Sequence, residues 1–167
     1  MKNYYPKISG FNISREISGI FVEKVSKVKG NLKYLAPEVF ENLEYSKKSD
    51  VFSFSLILYE LMTNKKYLEK IENKIEYIQK VYQEKSRPKI DESIPECYKK
   101  LIEACWSQDP NDRPSFEDIV TLLKTNTDFI TEKVNKDDLE IDLLLINDDY
   151  TDNNFKFHVT NSESSAS

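Results

Sequence analysis

The sequence is short of the residues from which many catalytic sites are built. Its 167 residues include three glycines, two cysteines and one histidine. The single histidine, His158, lies close to the carboxyl terminus. The rest of the chain therefore has no pair of histidines for a metal site and no Ser-His-Asp triad. These absences exclude two-histidine metalloenzymes and triad hydrolases.

The two cysteines also exclude an extracellular disulfide framework. Cys97 and Cys105 fall in one predicted helix, where their separation is about 12 Å at 1.5 Å per residue, too far for a disulfide bond. Free cysteines are typical of a reducing compartment. No apolar run approaches the roughly 18 residues of a membrane span, and the first residues lack the apolar core of a signal peptide. We expect a cytoplasmic protein, with the nucleus as an alternative, and no membrane partner.

The negative charge is concentrated at one end of the chain. Residues 1–124 carry a net charge of +2 and residues 125–167 a net charge of −7, within a total of −5. The composition of 125–167 predicts an acidic, largely disordered tail. Its apolar stretch at 143–146 is interpreted as a loosely packed segment, with a docking strand or helix as the alternative. The body has no basic stripe with interleaved aromatic residues, so nucleic acid is not an expected partner.

Hydrophobic patterning predicts four helices between residues 49 and 124. Ser49 is expected to cap a helix from Asp50 to about Thr63, whose interior is apolar on nearly every face, as in a helix at the centre of a core. A second helix is predicted from Leu68 to about Glu84, with a stripe of Leu68, Ile71, Ile75, Ile78 and Val81.

The last two predicted helices have recognisable start signals. Pro95 is expected to begin a third helix that carries Leu101, Ile102, Cys105 and Trp106. Ser115 and Asp118 resemble a capping box for a fourth helix. Its predicted buried side consists of Phe116, Ile119, Val120, Leu122 and Leu123. Residues 10–36 show no helical stripe, and a connection of that length is usually functional.

Four motifs occur in one order along residues 7–124. They are Ala36-Pro37-Glu38, Ser49-Asp50-Val51-Phe52-Ser53-Phe54, Cys105-Trp106 with Asp109-Pro110, and Arg113-Pro114-Ser115-Phe116. In this order and spacing they resemble the C-terminal half of a eukaryotic protein kinase. The run Gly30-Asn31-Leu32-Lys33-Tyr34-Leu35-Ala36-Pro37-Glu38 resembles serine/threonine enzymes, and the Cys-Trp and Arg-Pro-Ser-Phe motifs resemble the tyrosine-kinase-like serine/threonine group.

The resemblance implies a mainly α fold: the helical C-terminal lobe of the protein-kinase fold, lacking the N-terminal β lobe and the catalytic loop. Residues 10–38 would be the activation segment and 39–124 the helical subdomain. A glycine-rich loop cannot be written with glycines at 10, 19 and 30, and no His-Arg-Asp occurs. Both elements would lie upstream of Met1.

The resemblance also places a change at the family's metal-binding position. The Asp-Phe-Gly motif of kinases reads Gly10-Phe11-Asn12 here. Gly10 has no carboxylate to hold magnesium, and Asn12 replaces the glycine of the motif, while Phe11 is kept as a packing residue. We therefore predict no catalytic residue, no metal site and no cofactor for this chain, although the family uses ATP and Mg²⁺.

Four further residues receive structural roles from the resemblance. Glu38 and Arg113 are expected to form a buried ion pair that ties the end of the activation segment to the last helices. Asp50 resembles an aspartate that binds the catalytic loop; here we expect it to cap its own helix, with an unpaired carboxylate as the alternative. Trp106 is expected in the core.

Two functions remain open from the sequence. In the first, the chain is a pseudokinase-like remnant without phosphotransferase activity, and it binds a protein partner through the exposed lobe face or the helix 68–84. Alternatively, it is the C-terminal part of an active ATP-dependent serine/threonine or tyrosine kinase whose start is misassigned or supplied by another polypeptide. The residue that discriminates between them is Gly10, because an active kinase needs a carboxylate at that position.

Overall fold

A computed structural model of the protein describes residues 8–14, 16, 22–24, 26, 31–67 and 73–130. In these ranges the fold is mainly α, as predicted. The helices are α1 (Pro37–Asn42), α2 (Lys47–Thr63), α3 (Lys74–Ile78), α4 (Glu96–Cys105) and α5 (Phe116–Thr125). Two short strands, β1 (Glu23–Lys24) and β2 (Glu44–Tyr45), pair antiparallel. None of the helices in this part of the chain is long and apolar enough to cross a membrane.

The central helix α2 begins three residues earlier than the sequence predicts. Ser46, not Ser49, is its N-cap, and the Ser46 side chain accepts a hydrogen bond from the backbone N–H of Lys48. Ser49 occupies the third helical position and accepts from the backbone N–H of Ser46. The prediction that Ser49 caps a helix starting at Asp50 is therefore wrong. Two serines three residues apart form a reciprocal capping box, and the sequence signal was assigned to the wrong one of them.

Helix α2 is buried on most of its surface but not on all of it. Its buried apolar residues belong to the two hydrophobic clusters of the lobe: Phe52, Leu56 and Tyr59 to one, and Val51 to the other. Ile57 and Leu61, by contrast, are 50% and 74% exposed. The helix is therefore central to the lobe but open along this stripe, because no described element packs over it.

The helix predicted for 68–84 is shorter in the structure, and only part of its predicted stripe faces the core. Residues 68–72 lie outside the described residues. Helix α3 is capped by Asn73 and continues into a π-helical turn, Gln79–Gln83. Ile75 of the predicted stripe is 78% exposed, whereas Val81 of the same stripe is buried and Ile78 packs against the core. Tyr77 and Tyr82, which the stripe does not include, are buried as well. A π turn adds a residue to the hydrogen-bonded ring, so a stripe spaced at 3.6 residues per turn does not describe the buried face through this turn.

Helices α4 and α5 begin where their capping signals predict. Pro95 precedes α4, and Ser115 and Asp118 form the predicted capping box of α5. Only Ile119 of the predicted apolar side of α5 is buried, while Phe116, Val120, Leu122 and Leu123 are 37–47% exposed. That part of the prediction is wrong because only one edge of α5 is covered within the described residues.

The compact lobe extends beyond the predicted limit at residue 124. A 3-10 turn at Thr127–Phe129 follows α5, and Phe129 is buried with Leu101, Cys105 and Ile119. The Tyr98 hydroxyl donates to the Phe129 carbonyl at 2.7 Å. The Tyr98 and Phe129 rings also lie edge to face, with centroids 4.9 Å apart, so the chain after α5 is held against α4. Residues 131–167, which contain most of the predicted tail and the apolar stretch 143–146, lie outside the described residues.

Candidate functional site

A buried ion pair joins the start of α1 to the loop before α5. Arg113 binds Glu38 in bidentate geometry, with Nη1–Oε1 at 2.8 Å and Nη2–Oε2 at 2.9 Å. Arg113 is 1% exposed and Glu38 is 9% exposed. The Ser49 hydroxyl also donates to Glu38 Oε1 at 2.9 Å. The structure therefore brings together Glu38 and Arg113, which the sequence pairs. Ser49 is an additional hydrogen-bond donor to the Glu38 carboxylate.

The remaining N–H groups of Arg113 are also satisfied. Nε donates to the Ser107 carbonyl, Nη1 to the Lys48 carbonyl and Nη2 to the Gln108 carbonyl. With the two bonds to the carboxylate, all five donors of the guanidinium have acceptors. Its carbon also lies 5.0 Å from the centroid of the Phe52 ring. The loop before α5 and the first turn of α2 are thus held by one side chain.

A second arginine, not singled out by the sequence, supports the same ring. The Arg87 guanidinium carbon lies 5.1 Å from the Phe52 centroid, and its nitrogens donate to the Trp106 carbonyl at 3.2 and 3.3 Å. Burial lowers the pKa of Arg87. Trp106 is 7% exposed and packs against Tyr59, which confirms its place in the core.

The segment before Glu38 is fixed to α2 through its tyrosine. The Tyr34 hydroxyl donates to the Glu60 carboxylate at 3.1 Å. The Tyr34 carbonyl accepts a 2.7 Å bond from the Ser53 hydroxyl. Desolvation, and secondarily the Glu60 charge, raise the pKa of Tyr34. Ser53 and Glu60 are seven residues apart, about two turns of α2, so the Tyr34 side chain extends along the helix.

The same segment is held from its other side by two tyrosines of the α3 region. The Tyr77 hydroxyl donates to the Lys33 carbonyl at 2.8 Å, and the Tyr82 hydroxyl lies 3.4 Å from the Leu35 carbonyl. The Tyr82 ring stacks on Phe40 of α1 with centroids 4.4 Å apart. Burial raises the pKa of both tyrosines, so their hydroxyls stay protonated as donors. Neither tyrosine is among the residues that the sequence pattern predicts to be buried, because the predicted stripe consists of aliphatic residues.

Asp50 does not have the role that the sequence gave it. It lies in the first turn of α2, is exposed, and does not cap the helix, because Ser46 does. No hydrogen bond or ion pair joins its carboxylate to another described residue. Partial desolvation raises its pKa. The alternative of an unpaired carboxylate therefore describes the structure.

The surroundings of Gly10 contrast with those of Glu38. Gly10 has a φ of +83°, and a Cβ built on it has no atom within 4 Å. Its neighbours Ile8, Phe11 and Ile13 are 86%, 58% and 48% exposed, so the prediction that Phe11 packs is wrong. Magnesium in nucleotide sites is held by carboxylates, and this position offers backbone atoms only. The residues present do not fit a magnesium site.

An apolar cavity of about 410 Å³ lies elsewhere, between α4 and α5. Leu101, Ala104, Ile119, Leu122 and Phe129 supply most of its wall, with Cys97 at its edge. None of the predicted site residues lines it. The other cysteine, Cys105, is fully buried, and burial raises the pKa of its thiol to about 12.

Comparison with known proteins agrees with this arrangement. The family profile described as protein tyrosine and serine/threonine kinase matches residues 1–123. The dual specificity protein kinase shkE of Dictyostelium discoideum is 38% identical over 114 residues, 68% of this chain and 16% of the relative. Mitogen-activated protein kinase kinase kinase 7 of Homo sapiens is 39% identical over 95 residues, 57% of this chain and 16% of the relative.

A third relative covers slightly more of the sequence. A probable serine/threonine-protein kinase of Dictyostelium discoideum is 35% identical over 123 residues, 74% of this chain and 13% of the relative. The chain thus spans less than a fifth of the length of these curated relatives. The matched region contains all the helices α1–α4 and most of α5.

Proposed function

This chain belongs to the protein tyrosine and serine/threonine kinase family, and from that premise we propose that it is a pseudokinase-like helical lobe that binds protein and does not transfer phosphate by itself. The observation that carries the proposal is the contrast between Glu38 and Gly10. The family's architectural carboxylate is present with all its partners. The family's metal-binding carboxylate is replaced by glycine.

Phosphoryl transfer needs positioned charge more than any covalent chemistry. Magnesium ions bridge the phosphates, and a lysine and an aspartate complete the site. Gly10 supplies no charge, and the described residues contain no group of three or more His, Cys, Asp or Glu side chains that could hold a metal ion in its place. We therefore propose that the chain does not hold magnesium-ATP, and that it acts in the cytoplasm.

The protein-binding part of the proposal rests on exposed apolar side chains. Ile57 and Leu61 on α2 and Ile75 on α3 are 50–78% exposed. They lie on the two surfaces that the sequence nominates for a partner, the open lobe face and the helix 68–84. Apolar residues that cluster on a surface mark sites of protein contact more often than single ones do.

The test is binding of magnesium-ATP to the purified 167-residue chain, by calorimetry and by thermal melting. We expect no binding heat and no change in Tm. A rise in Tm that depends on ATP and is reversed by a metal chelator would overturn the proposal. Arg113→Ala is the control for the melting experiment. This variant should have a lower Tm than the wild type, which shows that the measured Tm responds to the stability of the lobe.

A second candidate function is favoured by the intact anchoring of residues 31–38. The chain would then be the substrate-side part of an active kinase, working with an ATP-binding part carried on another polypeptide. The two functions separate when the chain is mixed with the ATP-binding half of a related kinase. Our proposal predicts that the wild-type chain supports no phosphate transfer in this mixture, and that only the Gly10→Asp variant can support it. Phosphate transfer with the wild-type chain favours the second candidate.

A further inference from the structure

We draw no further inference here: the strongest candidate, the apolar cavity of about 410 Å³ between α4 and α5, carries none, because its wall includes one lysine and one aspartate, Lys100 and Asp118, and nothing in the described structure shows which ligand or partner fills it.

Discussion

Side chains from three directions bind the chain at residues 31–38, whereas at residues 8–14 the described side chains are mostly exposed. Tyr77 and Ser53 bind backbone carbonyls of the first region, and Glu38 is held by Arg113. In the second region Gly10 has open space where a side chain would be. Both regions belong to the segment that resembles a kinase activation segment.

The difference between these regions separates two roles of one segment. The end at Glu38 joins the helices to one another, so the lobe needs it in order to fold. By the resemblance to kinases, the end at Gly10 corresponds to a metal-binding position, which contributes to catalysis and not to the core. This contrast is the basis of the proposed function, in which the chain keeps the architecture of the family without its chemistry.

The largest expected effect is at the anchored end. Arg113→Ala leaves Glu38 buried without its cation, so we expect the free energy of unfolding to fall by about 3–5 kcal/mol. Urea denaturation followed by circular dichroism measures the change. The pair Arg113→Met and Glu38→Gln, which removes both charges, should cost less than Arg113→Ala. A loss below about 1 kcal/mol for Arg113→Ala would contradict the role given to this pair.

A smaller loss is expected when one tie to the segment is cut. Tyr77→Phe removes the donor to the Lys33 carbonyl and should lower the free energy of unfolding by about 1–2 kcal/mol. Amide hydrogen exchange should become faster at residues 33–36 and stay unchanged in α5. Equal acceleration across the lobe would show that Tyr77 acts on the whole fold and not on the segment.

Removing the hydroxyl of Tyr67 is the same chemical change as in Tyr77→Phe, but we expect it to raise the free energy of unfolding. Its hydroxyl is buried without a hydrogen-bond partner in the described structure. Tyr67→Phe removes this unpaired group, so we expect the free energy of unfolding to rise by about 1 kcal/mol. Loss of stability in this variant would mean that the hydroxyl has a partner in solution.

The effect of Tyr67 should also depend on pH. Burial raises the pKa of Tyr67 from 10.0 to about 12 in the folded state. The folded state thus binds this proton more tightly, and stability that is complete below about pH 10 is lost as the pH rises toward 12. Tyr67→Phe lacks this loss, so its advantage over the wild type should grow as the pH rises from about 10 toward 12.

The smallest effect is expected at the open end. Phe11 is 58% exposed, so Phe11→Ala should change the free energy of unfolding by less than about 0.5 kcal/mol. Phe52→Ala, at a fully buried ring of the same type, is the control and should cost about 3–5 kcal/mol. A large loss for Phe11→Ala would remove the contrast between the two regions.

The residues that the sequence predicted well are those with a local or motif signal. The capping box at Ser115, the helix after Pro95 and the pairing of Glu38 with Arg113 are all present. Each depends on a few residues at fixed spacing, or on the order of motifs along the chain. Such signals do not require knowledge of the surrounding fold.

The residues that the sequence predicted poorly depend on register or on neighbours. Tyr77 and Tyr82 of the α3 region are buried in the site while Ile75 is exposed, and a π turn interrupts the regular helical period after Ile78. Serine is a good helix N-cap, so the residue type alone does not distinguish Ser46 from Ser49. Their roles differ in the structure because Ser46 caps the helix while the Ser49 hydroxyl donates a hydrogen bond to Glu38. Exposure of Leu61 depends on which element lies over α2, which hydrophobicity does not specify.

The most direct test of the central claim is transfer of labelled phosphate. The purified chain is incubated with magnesium and ATP labelled at the γ-phosphate, together with a general protein acceptor. We predict incorporation no higher than with heat-denatured protein, into either the chain or the acceptor. Incorporation that increases with the amount of chain, and follows it through successive purification steps, would contradict the claim.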